Sequence, residues 1–186
     1  DRTLNLCDRE EYWGNEGDIH VGMDFNVNPM TAVISVFERG NIYIFDEIVE
    51  PNSNTQEMSN MIKKRYPDVS VFVYPDPTGN KRQTNAVTGQ TDFDILRKNG
   101  FYVCTPRHPY ATKDKFNTVN SALCNAKGER KVHIIKDKCL HLKEAWEGYT
   151  YNSNGDPDKS SGLDHISDAA AYLICYKLPY RADRYV

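Results

Sequence analysis

The amino-acid sequence predicts an α/β domain on a mixed β-sheet, three antiparallel strands leading into parallel ones, flanked by helices. Three observations point there. Residues 19–48 hold three consecutive β-rich runs separated by short turn signals. From residue 56 onward helical and strand patterns alternate, the sequence form of parallel strands joined by crossover helices. Between the two halves, 69–74 (VSVFVY) is nearly all apolar, the composition of a strand buried on both faces.

The first run, 19–25 (IHVGMDF), is followed by Asn28-Pro29, the second, 31–37 (TAVISVF), by Arg39-Gly40-Asn41, and the third is 41–48 (NIYIFDEI). Connections this short make neighbours antiparallel. Asn54-Thr55 offers an N-cap to a helix over 56–66, where Met58, Met61, Ile62 and Tyr66 recur at helical spacing and Pro67 marks the stop. The buried strand at 69–74 is followed by a helix at 92–99 closed by Gly100, a strand at 101–104, a helix at 113–126, a strand at 132–135 and a helix at 140–149. A turn-rich stretch, 152–162 (NSNGDPDKSSG), precedes the last helix at 163–176. Residues 1–18, acidic and with little apolar pattern, read as a linker or lead-in, 19–178 as the folded domain and 179–186 as a tail.

With 186 residues, a net charge of −3 and 39% hydrophobic content, the chain has the size and composition of one globular domain. No apolar run approaches the ~20 residues that cross a bilayer, so no membrane partner is expected. The opening residues are charged and lack the apolar stretch of a secretion signal, and the missing initiator Met fits a piece of a longer chain. Five cysteines without a C-x-x-C pair argue against a disulfide framework and a zinc knuckle, and for a reducing, intracellular setting. Charge is divided unevenly. Residues 97–143 carry eleven Lys and Arg against Asp114, Glu129 and Asp137, a local +8, and the rest is −11. A basic segment beside acidic clusters suits an enzyme that holds a polyanion with one and cations with the other. Lysines scattered over a surface would give the same count, so only their clustering in space separates the two readings.

Asp24 stands near the end of the first strand, Asp76 just after the buried strand in Tyr74-Pro75-Asp76-Pro77-Thr78-Gly79-Asn80, and Asp164 and Asp168 on the last helix. Ligand sites in α/β sheets gather at the carboxyl ends of parallel strands, and a few carboxylates suffice for a hard divalent cation. Each acid also has a structural reading. Asp24 beside Asn26, Asn28 and Pro29, and Asp76 between two prolines, suit turns, while Ser161-Gly162-Leu163-Asp164 matches a capping box. Asp168 shares a helix face with Asp164 and His165, next to Ala169, Ala170 and Ala171, which allow close packing. A carboxylate there is costly unless paired or metal-bound. His165 is open to three roles, as ligand, proton shuttle or surface residue. His20, His108, His133 and His141 show no ligand spacing. The sequence has neither a nucleophile elbow nor a phosphate-binding loop, which sets aside acyl transfer and nucleotide hydrolysis.

Gly22-Met23-Asp24-Phe25, Tyr74-Pro75-Asp76 and Asp164-His165-x-x-Asp168-Ala169-x-x-Tyr172 together resemble the C-terminal nuclease domain of the large terminase subunit of tailed bacteriophages, a ribonuclease H-like fold. The resemblance covers 19–176, and the last motif is its most specific part. It implies a metal-dependent endonuclease that cuts concatemeric double-stranded DNA by two-metal phosphodiester hydrolysis, using two Mg²⁺ or Mn²⁺ ions. By the same resemblance Asp24, Asp76 and Asp168 are the catalytic metal ligands, His165 is an auxiliary catalytic residue, and Asp164 fills a further motif position. Asn26 departs from the glycine of many relatives, and Ala171 from their basic residue. The implied partners are double-stranded DNA, an ATPase motor domain of the same polypeptide, the small terminase subunit and the portal of a procapsid, in the cytoplasm of an infected bacterial host. Lys81, Arg82, Lys113, Lys115, Lys127, Arg130 and Lys131 are the expected phosphate contacts. Two competing readings stand beside this one: another ribonuclease H-like nuclease, such as a junction resolvase or transposase core, and a non-catalytic DNA-binding or assembly module with structural acids.

Overall fold

Strands β2 (Ile19–Asp24), β3 (Met30–Glu38) and β4 (Asn41–Glu50) form the antiparallel meander that their short turns dictate. The computed structural model describes residues 4–8, 17–80, 90–148 and 164–179. On the β2 side the sheet continues with the parallel strands β5 (Val71–Pro75) and β6 (Tyr102–Val103), and on the β4 side with β7 (Val132–Ile135) and β1 (Leu6–Cys7). The order across the sheet is β1-β7-β4-β3-β2-β5-β6. The outermost strands, β1 and β6, are two residues each.

Helices cover both faces, so β2 is buried along its whole length rather than on alternate residues. Successive side chains still point to opposite faces. Ile19, Val21 and Met23 join a core under α1 (Thr55–Arg65) and α2 (Asp92–Lys98), with Met58, Ile62 and Leu96 from the helices. The face carrying His20, Gly22 and Asp24 lies under α3 (Thr112–Leu123), α4 (Leu140–Gly148) and α5 (Asp164–Lys177), where Val119, Leu142, Ile166, Ala170 and Leu173 pack on Val33, Ile44 and Tyr74. Asn54 caps α1 as expected, its side chain accepting the N–H groups of Gln56 and Glu57. Among the described residues no helix is long and apolar enough to cross a membrane.

Two boundaries differ from the sequence reading. Part of the expected lead-in is sheet: Leu6–Cys7 pairs with β7, and the Asn5 side-chain amide donates to the carbonyls of Val132 and Leu123, both at 2.9 Å. Two residues are too few for an alternation to register, and the partner strand lies more than a hundred residues away in sequence. Helix α3 stops at Leu123 instead of 126 because Cys124 is extended and the Asn125 side chain accepts the N–H groups of Lys127 and Glu129, building a turn in place of a further helical turn. The 152–162 stretch, including the Ser161 expected to cap the last helix, and Lys81 and Arg82 lie outside the described residues.

Candidate active site

Strands β2 and β5 run parallel with Met23 opposite Pro75, so Asp24 and Asp76 occupy adjacent positions at the carboxyl ends of neighbouring strands. The N–H of Asp76 donates to the Met23 carbonyl at 3.0 Å and fixes that register. Beyond it the chain makes one short helical turn, Pro77–Asn80, in which Asp76 Oδ1 accepts the N–H of Thr78 at 2.8 Å. The turn role expected of Asp76 and a place at the site therefore coexist, since the turn takes one carboxylate oxygen.

Helix α5 crosses this end of the sheet at unusually short range. A Cβ on Gly22 would overlap the carbonyl oxygen of Ala169, so the helix backbone rests directly on the strand. That approach carries His165 Nδ1 to 3.0 Å from Asp24 Oδ2, and Nε2 to 2.8 Å from the Asn26 side-chain nitrogen, which also donates to the Asn28 carbonyl. The Asn26 amide nitrogen can only donate, so Nε2 accepts and Nδ1 carries the hydrogen given to Asp24. Asp164, buried, has Oδ1 3.8 Å from His165 Nε2. One turn further along α5, Asp168 Oδ1 lies 2.5 Å from Nζ of Lys115 on α3, and Nζ stands 5.3 Å above the Tyr172 ring.

The electrostatics tie these groups into one neighbourhood. Burial pushes the Asp24 carboxyl up to about 6, the charges of Asp168 and Asp76 push the same way, and the hydrogen bond from His165 opposes them. Burial, then the negative charges of Asp76, Asp168 and Asp24, hold the Tyr172 phenol far above its ordinary value. The three acids thus lie within electrostatic range of one site.

The basic residues are distributed differently from the sequence expectation. Lys115 is at the site, and Lys113 is exposed on the first turn of the same helix. Lys127, Arg130 and Lys131 precede β7, whose Val132 pairs with Ile42 at the start of β4. That start adjoins the end of β3, which lies beside the beginning of β2. The three residues therefore sit at the opposite end of the sheet from Asp24, about 20 Å away at ~3.3 Å per strand residue. Their nearness to one another in sequence follows from a surface loop, and it does not bring them to the acids. Asn26 and Tyr172, not among the expected ligands or phosphate contacts, stand beside these groups, Asn26 on His165 and Tyr172 under Lys115. Tyr172 had a signal, its place at the end of the Asp164-His165-x-x-Asp168-Ala169-x-x-Tyr172 motif, whereas Asn26 read as a turn residue and as a departure from the family's glycine.

Three carboxylates with no sulfur ligand form a hard-oxygen donor set suited to Mg²⁺ or Mn²⁺. With Asp24 engaged by His165, Asp76 by Thr78 and Asp168 by Lys115, no three His, Cys, Asp or Glu side chains among the described residues converge on a single ion position. The donor chemistry fits a divalent cation.

A family model described as the Terminase RNaseH-like domain matches residues 21–177. The chain belongs to that family. Among solved structures, this terminase RNaseH-like domain resembles the large terminase of a thermophilic bacteriophage, with 20% identity and a TM-score of 0.71 over 94% of this chain and 43% of that one. It therefore spans less than half the length of that protein. The nuclease domain of the large terminase g2p of bacteriophage SPP1, solved with bound Mn, is 17% identical with a TM-score of 0.59, over 91% of this chain and 95% of that one. The large terminase nuclease of another thermophilic phage, G20c, solved with bound magnesium, is 19% identical with a TM-score of 0.54, over 84% and 79%. The mixed sheet has the ribonuclease H-like fold that the sequence resemblance implied. No curated protein sequence matches the chain.

Proposed function

We propose that this domain is the metal-dependent DNA endonuclease of a phage packaging terminase, acting on concatemeric double-stranded DNA. The observation that carries the reading is the register of Asp24 and Asp76 on adjacent parallel strands, with Asp168 of α5 near enough for its charge to raise the Asp24 carboxyl. Asp24, Asp76 and Asp168 would hold two Mg²⁺ or Mn²⁺ ions. When bound, such ions activate the attacking water and stabilise the leaving 3′ oxygen. The chain's own residues hold the ligands still. His165 donates to Asp24 Oδ2 and leaves Oδ1 for a cation, Asn26 fixes the His165 ring, and the Thr78 amide orients Asp76.

The nuclease unit in this reading spans 19–178, with the two-residue strand β1 added from upstream. The motor ATPase domain of the same polypeptide, the small terminase subunit and the portal are its partners, and the cytoplasm of the infected host is its compartment. Incubating the domain with supercoiled plasmid in Mn²⁺, Mg²⁺ or EDTA, beside Asp76→Asn, tests the activity. Asn keeps an acceptor for Thr78 and removes the charge. Nicked and linear products only with metal, and none from the variant, support the reading. An intact plasmid from a folded wild type that binds no Mn²⁺ hands the domain to the binding-module alternative.

A further inference from the structure

Lys115 lies where a surface phosphate contact would not. Its side chain is only 12% exposed and that of Asp168 only 16%, so the pair is largely shielded from water, and Nζ is enclosed by the rings of Tyr172 at 5.3 Å and Phe116 at 5.9 Å. Three carboxylates share this end of the sheet, Asp24 and Asp76 on adjacent parallel strands and Asp168 on the helix that crosses them. A buried acid needs a counter-charge, and Lys115 supplies one to Asp168 Oδ1. Its four-carbon stem lets the ammonium move while α3 stays packed on α5.

Resting on the nuclease reading above, we propose that Lys115 is a built-in counter-cation that stabilises the ion-free site through Asp168 and competes with the divalent cation for it. Loading a cation displaces Nζ from Asp168. The exchange breaks one ion pair and makes or breaks no covalent bond. The domain is thereby kept folded before it meets metal, at the cost of weaker cation binding, and Lys115 acts as a positioning residue that governs when Asp168 becomes a ligand.

The test is Mn²⁺ binding without DNA, by titration calorimetry, on wild type and Lys115→Met, whose apolar stem still packs on Tyr172 and Phe116. Removing the ammonium that competes for Asp168 is expected to tighten Mn²⁺ binding about 10-fold or more. The ion-free melting temperature of the variant should drop, while the Mn²⁺-saturated value should match wild type. A second measurement uses the wild-type chain: an amine-reactive probe should label Lys115 slowly in EDTA and faster in saturating Mn²⁺. Unchanged or weaker Mn²⁺ binding by the variant, or equal labelling in both conditions, overturns the proposal. So does a variant that loses DNA affinity alone, which would make Lys115 a plain phosphate contact. If neither protein binds Mn²⁺, the nuclease reading falls together with this one, an outcome distinct from wild type binding and the variant binding no better.

Discussion

At one end of α5, Lys115 faces a carboxylate; at the other, Lys177 faces two aromatic rings, with Nζ 4.7 Å above Phe37 and 5.5 Å above Tyr74. The sheet beneath follows the same division. Asp24 and Asp76 close the strands at the first end, whereas a row of rings, Tyr102 stacked on Phe72 and Phe72 against His20, crosses β6, β5 and β2 at the second. Burial works on both ends, with opposite sign. It pushes the Asp24 carboxyl up to about 6 and, with the charge of Lys177, pulls His20 down to about 4, where Nδ1 bonds the Tyr74 hydroxyl at 2.9 Å. The lesson is that a lysine on carboxylates can be exchanged for another cation, whereas a lysine on rings beside a neutral histidine is part of the packing. One end of the helix is built to change its charge partners and the other to keep them.

Four perturbations would break or sharpen that contrast. The largest effect is expected from Gly22→Ala, which sets a methyl group against the Ala169 carbonyl and lifts α5 from the acid end. The loss should be about 3 kcal/mol or more in denaturant unfolding, whereas Gly40→Ala, where no atom lies within 4 Å and only the φ of +80° is strained, should cost about 1 kcal/mol.

Next is pH. Below pH 6.5 an unfolded His20 takes up a proton that the folded one refuses until about pH 4, so it removes stability as pH falls through that window, at most about 3 kcal/mol. Asp24 acts the other way: its folded carboxyl binds a proton up to about pH 6, which adds stability as pH falls from 6 to 4. Wild type should therefore vary little over that range. His20→Gln should become more stable as pH drops and Asp24→Asn less stable, read from urea midpoints at pH 4, 5, 6 and 7.

Asp24→Asn should also raise ion-free stability at pH 7.5 by about 2 kcal/mol, because it removes a buried charge, and should lose the stabilisation by Mn²⁺. The smallest effect is expected from Lys127→Glu, Arg130→Glu and Lys131→Glu together, since these residues stand at the ring end. Metal-dependent plasmid cleavage should stay within about two-fold of wild type. A larger loss would mean that DNA runs along the whole sheet.

The meander and most helices were legible in the sequence because their determinants are local: turn residues, the Asn54 cap, and apolar residues at helical spacing. Asp24 and Asp76 were legible as strand-end acids for the same reason, and Asp168 as an acid on a helix face made for close packing. What escaped was set by contacts between distant segments. Nothing around Lys115 tells which acid α3 will bring it to. The two residues of β1 acquire a strand's role only beside β7. The +8 of residues 97–143 divides between the two ends of the sheet because α3 runs from one to the other, which no count along the chain can reveal.

The two-residue strands at either margin of the sheet bear on how the domain behaves in concentrated solution. A long bare margin offers a row of unpaired amide and carbonyl groups to any passing β-segment, and among the described residues this sheet tapers instead to Leu6–Cys7 on one side and Tyr102–Val103 on the other. At these two-residue rims few amide and carbonyl groups are left for a further strand. The domain should therefore resist edge-to-edge aggregation, and its mass by light scattering should hold steady as the concentration rises.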